Sequence, residues 1–538
     1  MTVGPILLWV LLLTPPACQS ATLPVRIEVD AHGDAGPIHD HLYGHNHVWI
    51  RGGNGVWDLE AHTPNRPVIE ALRPMGVTLL RFPGGTLSHR YEWEPGIGPP
   101  EKRPLGNALS SMSTFSNGYG TFEFLEVCRQ LGADPLLVAN WDEGSPQSTA
   151  AWLALLNGAP DAKTPIGKDA QGRDWGTVGQ WGRKRVELGH PETVGLRFFE
   201  IGNEMYWKRF PQTPQSCAER FIEYSRLLKT VDPEIRVGIV GFHKPEGPGW
   251  LDAEEGRLTP WNRTVLEKAG GHCDFLTVHI YRGLEDEVDD GYPDLIIAPV
   301  EVEADLRAIR RIASEVRGDL PPVELAITEY NAMIAAPGIQ RFSPRMVTLE
   351  AALYNASLLL AFARTGVEMG SFHILCLYPP DDPALAGGIN FAALAIHPDR
   401  MVMTPTYHVL SMLSSSFRGK LLPVESTFHP LGEGGRGQEI AILDVAAASP
   451  REGEVTVAIV NRSLSREIPV EIRLTSGRPV GLVRQEVLTS GRISDDNSDR
   501  VPRVVPRTVY PVARDDGVLP VVTPPASLSV VRLSVQGR

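Results

Sequence analysis

Cysteine is scarce in this chain. There are five in 538 residues, at positions 18, 128, 217, 273 and 376, and no two of them form a CxxC pair. That excludes a disulfide scaffold, a zinc ribbon and a thioredoxin-type redox centre. Cys18 is expected to leave with a leader or to carry lipid, and the other four, in apolar surroundings, are expected to be free core thiols. Dense basic runs are missing too. Lys plus Arg total 51 against 64 Asp plus Glu, a net charge of −13, which argues against a nucleic-acid partner. No apolar run approaches the roughly 20 residues that a membrane span requires. The apolar run at the N-terminus, Ile6–Leu13 (ILLWVLLL), is followed by Pro15, Pro16 and the small residues Ala17 to Ala21. This is the plan of a signal peptide over residues 1–20, though without a basic first segment, and it implies a secreted or periplasmic protein. Pro16-Ala17-Cys18 also loosely resembles a lipoprotein site. No GxGxxG or P-loop follows any strand, so the usual nucleotide chemistry of an open α/β sheet is absent.

What is present is ordinary globular material, 42% apolar and 21% charged, patterned as short apolar strands alternating with amphipathic helices. Eight strands are expected: Leu42–Asn46, Val77–Phe82, Pro135–Asn140, Arg197–Gly202, Arg236–Val240, Phe275–Tyr281, Glu324–Tyr330 and Ser371–Leu377. Helical periods fill the gaps at Phe122–Leu131, Ala218–Val231, Val302–Val316 and Thr348–Arg364. Eight such units fit a (β/α)8 TIM barrel of the α/β class over residues 41–418, with a doubly wound open sheet as the competitor. After Leu410–Phe417 the helical periods fade. Short strand-like runs follow at Glu439–Val445, Glu454–Val460, Ile468–Leu474, Val480–Val487 and Leu528–Leu533, reading as an antiparallel β-sandwich over residues 419–538. Within it the polar stretch Thr489–Arg507 is expected to be a mobile loop. Val25–Val29, in the segment 21–40 before the barrel, is expected to pair with that sandwich.

Catalytic groups of such a barrel lie at the C-terminal ends of its strands. There the sequence delivers Arg81 (LLRFPGG), Asn140 and Trp141, Asn203 and Glu204 (FFEIGNEM), His279 and Tyr281 (TVHIYR), and Glu329 (AITEYN). A lone glutamate at a strand end is more often a solvated carboxylate than a catalyst. Asn-Glu closing one apolar strand and Thr-Glu-Tyr-Asn closing another are more specific. Two opposed carboxylates are what glycoside hydrolysis needs, one to protonate the leaving oxygen and one to attack or to activate water. His45 and His47 face one side of their strand, but no third metal ligand is apparent and no metal or cofactor is expected. Trp141 and Tyr330 read equally as sugar platforms or wall packing. Trp152, Trp175 and Trp181 either rim the cleft or pack their own loop.

The motifs Leu42-Tyr43-Gly44-His45, Arg81-Phe82-Pro83-Gly84-Gly85, Glu200-Ile201-Gly202-Asn203-Glu204-Met205, His279-Ile280-Tyr281 and Thr328-Glu329-Tyr330-Asn331 resemble those of the α-L-arabinofuranosidases of glycoside hydrolase family 51. The resemblance extends to Thr404-Pro405-Thr406-Tyr407 and Ala526-Ser527-Leu528, so it covers nearly the whole chain after the leader. It implies a retaining, exo-acting enzyme on plant polysaccharide or oligosaccharides. Glu204 would be the general acid/base, held protonated by apolar surroundings and the second carboxylate. Glu329 would be the nucleophile, kept ionised by Arg81 and Tyr281, and Asn203 would bind the hydroxyl beside the anomeric carbon. Asn46, Thr86, Asn140, Trp141 and His279 complete the expected sugar-binding shell. Three positions depart from the family pattern: Thr86 where an Asn is usual, His45-Asn46-His47 where a Glu often stands, and Tyr330 for Trp. Two further readings stay open. One is a retaining glycosidase of the same clan with another sugar or an endo mode; the other is a non-catalytic carbohydrate-binding protein.

Overall fold

The computed structural model describes residues 23–107, 114–207, 212–245, 247, 260–285, 291–336, 341–342, 344–378, 391–431 and 439–536. The leader reading of residues 1–20, with Cys18, lies outside these. Eight parallel strands form the barrel: β1 (His41–Asn46), β2 (Leu79–Phe82), β3 (Asp134–Ala139), β4 (Phe198–Ile201), β5 (Arg236–Val240), β6 (Phe275–Glu285), β7 (Glu324–Ala336) and β8 (Met369–Phe372). Each pairs with its sequence neighbours, and β8 returns to β1, so the sheet closes. The strands are apolar on both faces because one face meets the surrounding helices and the other fills the barrel. Leu79, Leu136, Phe198, Phe275, Ala326 and Met369 cluster together inside it. Toward the C-terminal ends, the fully buried Asn46, Arg81, Glu200 and Thr328 replace them with a polar group.

Three differences from the sequence pattern have physical reasons. β6 and β7 run on past the expected ends and stay paired from Phe275↔Glu324 to Glu285↔Ala335. The eighth strand is two: Met369–Phe372 belongs to the barrel, while Cys376–Leu377 joins a three-stranded sheet with Leu394–His397 and Arg400–Met403. The helix expected at Val302–Val316 begins at Gly291 and continues through Pro299 to Arg317; an internal proline is a poor helix signal, and the pattern before it is hard to read. By contrast, the helix Thr121–Leu131 stops where Gly132 takes a left-handed φ of 70°, as a C-terminal glycine permits.

Beyond the barrel two sheets face one another. Val25–Val29 lies in the four-stranded sheet, antiparallel to Val424–Ser426 and parallel to Ile468–Leu474. The seven-stranded sheet is built around Leu443–Ser449, Glu454–Asn461, Ser527–Gln536 and Arg478–Leu488. Ile27, Val29, Val457, Ile459, Ile472, Leu519 and Val531 fill the space between them. The outer face of the larger sheet carries Ala446, Ala448 and Ala458, which join the main barrel core. These small side chains let the helix Leu349–Arg364 lie close, and its Arg364 pairs with buried Asp444 at 3.0 Å. The stretch Thr489–Arg507 is docked, contrary to the expected mobile loop. Its backbone accepts bonds from Leu349 and Glu350, and the Asn497 amide donates to the carbonyls of Met403 and Val504. Its polar side chains serve the loop's own backbone, so polarity misled. Cys128, Cys217, Cys273 and Cys376 are buried and unpaired. Among the described residues no helix is long and apolar enough to cross a membrane.

Candidate active site

Arg81 is the hub of the site. It is wholly buried, and its fork is divided among four residues carried by three other strands. Nε donates to Glu200 Oε2 at 2.5 Å, Nη1 to Asn46 Oδ1 at 2.8 Å and to Glu329 Oε1 at 3.0 Å, and Nη2 to Asn203 Oδ1 at 2.8 Å. A buried guanidinium needs such partners, and two carboxylates hold its charge in place. Glu200, its strongest partner, was not singled out in the sequence. The available signal was a lone acid within an apolar strand while another apolar strand carried a lone arginine.

Glu329 reaches Arg81 because the β6–β7 register slips between Val278 and His279, so that Thr328 is passed over and His279 pairs with Glu329. Such a bulge re-aims side chains. The Tyr281 hydroxyl donates to Glu329 Oε2 at 2.6 Å. Burial alone would push this carboxyl up, but His279, His373, Arg81 and the Tyr281 bond outweigh it and hold it well below the usual carboxylate range. Tyr281 is itself pushed well up by burial and by the Glu329 charge, so it stays a donor. Gly85 passes directly over the carboxylate, and a Cβ there would run into Glu329 Oε1.

Glu204 stands across from it. After β4 the chain turns through left-handed backbone at Gly202 (φ 78°) and again at Glu204 (φ 48°). The second is strained for a residue with a side chain, and it belongs to the turn that carries the carboxyl to the cavity. Trp207 Nε1 donates to Glu204 Oε2 at 2.8 Å, and the Tyr206 hydroxyl lies 3.4 Å from Oε1. His279 Nδ1 lies 2.9 Å from the same Oε1, with its Nε2 3.2 Å from Thr328 Oγ1. The Thr328 hydroxyl donates to Glu200, so His279 Nε2 is the donor to Thr328. That leaves Nδ1 to share a proton with Glu204. Burial lowers the His279 pKa, but Glu329 and Glu204 outweigh it and the net shift is upward. Oxygens of Glu204 and Glu329 lie within 4.8 Å of one another, with His279 in the same reach. Among the described residues these three could also hold a cation, although their hydrogen bonds already account for them.

Above the carboxylates opens a cavity of about 860 Å³ lined by Glu204, Glu329, His279, Tyr281, Thr86 and His373, among others. Asn203 lies fully buried beside Arg81, and its Nδ2 has no partner among the described residues. Three expected contacts fall elsewhere. Asn46 is spent behind Arg81, donating to the carbonyls of Thr328 and Ser371. Asn140 ties a turn, accepting from Glu143 N and donating to the Tyr91 carbonyl. Trp141 is wall packing, stacked on Tyr224 with Arg220 over its ring. Tyr330 is likewise buried against Phe362 and Phe372. Trp152, Trp175 and Trp181 pack with Trp93. His45 and His47 are buried, and burial pushes both down to about 3; His47 Nε2 is 2.7 Å from the Tyr119 hydroxyl. His373 was missed. It lies after β8, stacked on Phe391, with Nδ1 3.8 Å from Glu329 Oε2 and unpartnered among the described residues.

Known proteins carry the same plan. The family model described as "Alpha-L-arabinofuranosidase 1 domain" matches residues 71–255, and "Alpha-L-arabinofuranosidase C-terminal domain" matches residues 328–527. A probable α-L-arabinofuranosidase C from Aspergillus niger is 25% identical over 85% of this chain and 86% of its own length. An intracellular exo-α-L-arabinofuranosidase from Bacteroides ovatus is 22% identical over 90% and 89%. The solved structure of the thermostable GH51 α-L-arabinofuranosidase from Thermotoga petrophila superposes with a TM-score of 0.77 at 24% identity, covering 94% of this chain and 99% of that one.

Proposed function

Because this chain belongs to the α-L-arabinofuranosidases of glycoside hydrolase family 51, we propose that it releases terminal α-L-arabinofuranosyl units by double displacement, with Glu329 as nucleophile and Glu204 as general acid/base. The observation that carries this reading is the short separation of the two carboxyl groups, within 4.8 Å. Retaining glycosidases hold theirs about 5–5.5 Å apart so that one can touch the anomeric carbon, whereas inverting enzymes leave about 6.5–9.5 Å for a water. The environments divide the roles. Glu329 is kept ionised by Arg81 and Tyr281, as an attacking carboxylate must be. Glu204 faces the cavity and shares a proton with His279, which can pass to the leaving oxygen in the first step and be recovered from water in the second. The unpartnered Asn203 Nδ2 is the donor for the sugar hydroxyl beside the reacting carbon, a contact that strengthens as charge develops.

A panel of nitrophenyl glycosides with NMR of the first-formed anomer tests the reading. Hydrolysis of the α-L-arabinofuranoside with retained configuration is expected; an inverted first product would make Glu329 a general base. Glu329→Ala should retain less than about a hundredth of the rate, the scale of covalent catalysis. Glu204→Ala should hurt poor leaving groups most and be rescued partly by azide on activated ones. Export of the chain rests on its apolar N-terminal run, and fractionation of an expressing host would test it.

A further inference from the structure

The cavity above the two glutamates changes chemistry with height. Its floor is polar. Higher up, the described walls are carried by Val48, Leu87, Met333, Met346, Ile374 and Leu377. Val48 and Ile374 form an apolar cluster of their own with Ala392, apart from the barrel core, with Leu87 and Leu377 packed against it. Arg51 and His243 also line the cavity, beside the rings of Phe115, Trp207, Tyr378 and Phe391, but two of its polar side chains are already committed. Asn331 donates to the carbonyls of His373 and Phe391 and accepts from Asn355. Asn54 donates to the Cys376 carbonyl.

At about 860 Å³ the cavity sits in the range that holds whole drug-sized molecules, about 300–1,000 Å³, while a pentofuranosyl ring has only about ten heavy atoms. Most of the space therefore belongs to the leaving group. A saccharide there would turn hydroxyls toward aliphatic side chains, and each hydroxyl left without a partner weakens binding about ten- to a hundredfold. An apolar alcohol gains about fourfold for each methylene buried.

We propose that the leaving-group side of this cavity is built for an apolar aglycone, so that the preferred substrates are small arabinofuranosides of aliphatic or aromatic alcohols rather than polysaccharide chains. The inference rests on the arabinofuranosidase reading and narrows its substrate class. The leaving oxygen takes the Glu204 proton as its bond to the anomeric carbon breaks, and the free alcohol departs.

The test is a series of methyl, butyl, hexyl and octyl α-L-arabinofuranosides, whose leaving alcohols are similarly acidic, run beside an arabino-oligosaccharide. kcat/KM should climb about fifteenfold with each added pair of buried methylenes, and the octyl glycoside should exceed the oligosaccharide at least about tenfold. Leu377→Asn should lower the octyl-to-methyl ratio. A flat series, or preference for the oligosaccharide, overturns the inference while leaving the activity standing. Absence of turnover on every arabinofuranoside, the nitrophenyl one included, overturns the activity reading and this inference with it.

Discussion

Two residues beside Glu329 separate electrostatic from steric control of the nucleophile. The Tyr281 hydroxyl holds the carboxylate by one short bond at 2.6 Å. A hydrogen bond to a charged group contributes about 1.5–3 kcal/mol, so Tyr281→Phe should cost about 10- to 100-fold in kcat. It should also move the acid limb of kcat/KM to higher pH, because the removed bond is one that lowers the Glu329 pKa. A pH–rate profile whose limb stays in place would show that Tyr281 does not tune the carboxylate. Gly85 acts by shape. In Gly85→Ala the new methyl meets Glu329 Oε1 and displaces it. Misplacing a reacting group by about 1 Å costs about 100-fold, and activity should fall on that scale while Tm stays within a few degrees. Glu204 and Glu329 were legible in the sequence because strand ends announce them. Asn46 was misread because position along a strand does not say how deep a side chain sits: it faces the barrel interior but is held by Arg81 and the Thr328 and Ser371 carbonyls; of the two readings open for Trp141, wall packing is the one seen.

At the scale of elements, the barrel strands could be read within a few residues because a parallel sheet buried on both faces needs unbroken apolar runs. The sandwich was harder. Leu443–Ser449 is alanine-rich and was placed four residues early, and short edge strands such as Arg507–Val509 and Pro37–Ile38 carry too few residues to show a period. The docked stretch Thr489–Arg507 shows how polarity misleads: Asn497 is 4% exposed and its amide closes a knot with Val504 N, Val504 O and Met403 O. Asn497→Ala leaves those groups without partners, which should cost about 1–3 kcal/mol. Because the knot lies away from the cavity, thermal denaturation should show a Tm lower by a few degrees while kcat on a nitrophenyl arabinofuranoside is unchanged. An unaltered Tm would mean that the stretch does not hold to the barrel.

Across the whole molecule, the sandwich keeps its own core but packs Ala446, Ala448 and Ala458 into that of the barrel, so a charge forced into the barrel bears on the folding of both. His45 and His47 are 0% and 1% exposed, and burial lowers each to about 3 from an ordinary value near 6.5. A neutral buried histidine adds nothing to pH dependence above its unfolded pKa. Below that value the unfolded chain takes up a proton that the fold refuses, so stability falls as pH falls until the folded value is reached. Each site contributes a slope of about 1.4 kcal/mol per pH unit across that window, and two sites together about 2.7. Glu329 works in the same direction at lower pH, since its depressed carboxyl gives up its share of stability only as pH drops through its folded value. His279 has the opposite sign. Its raised pKa stabilises the fold below the unfolded value, and that share is lost as pH rises through the folded one. Thermal unfolding followed from pH 7 to pH 4 should therefore show Tm falling steadily through the window set by His45 and His47. His45→Leu removes one of the two rings and should reduce the slope by about half. A Tm that holds constant from pH 7 to pH 5 would mean that these rings take up protons in place, and that the barrel interior around β1 is open to water.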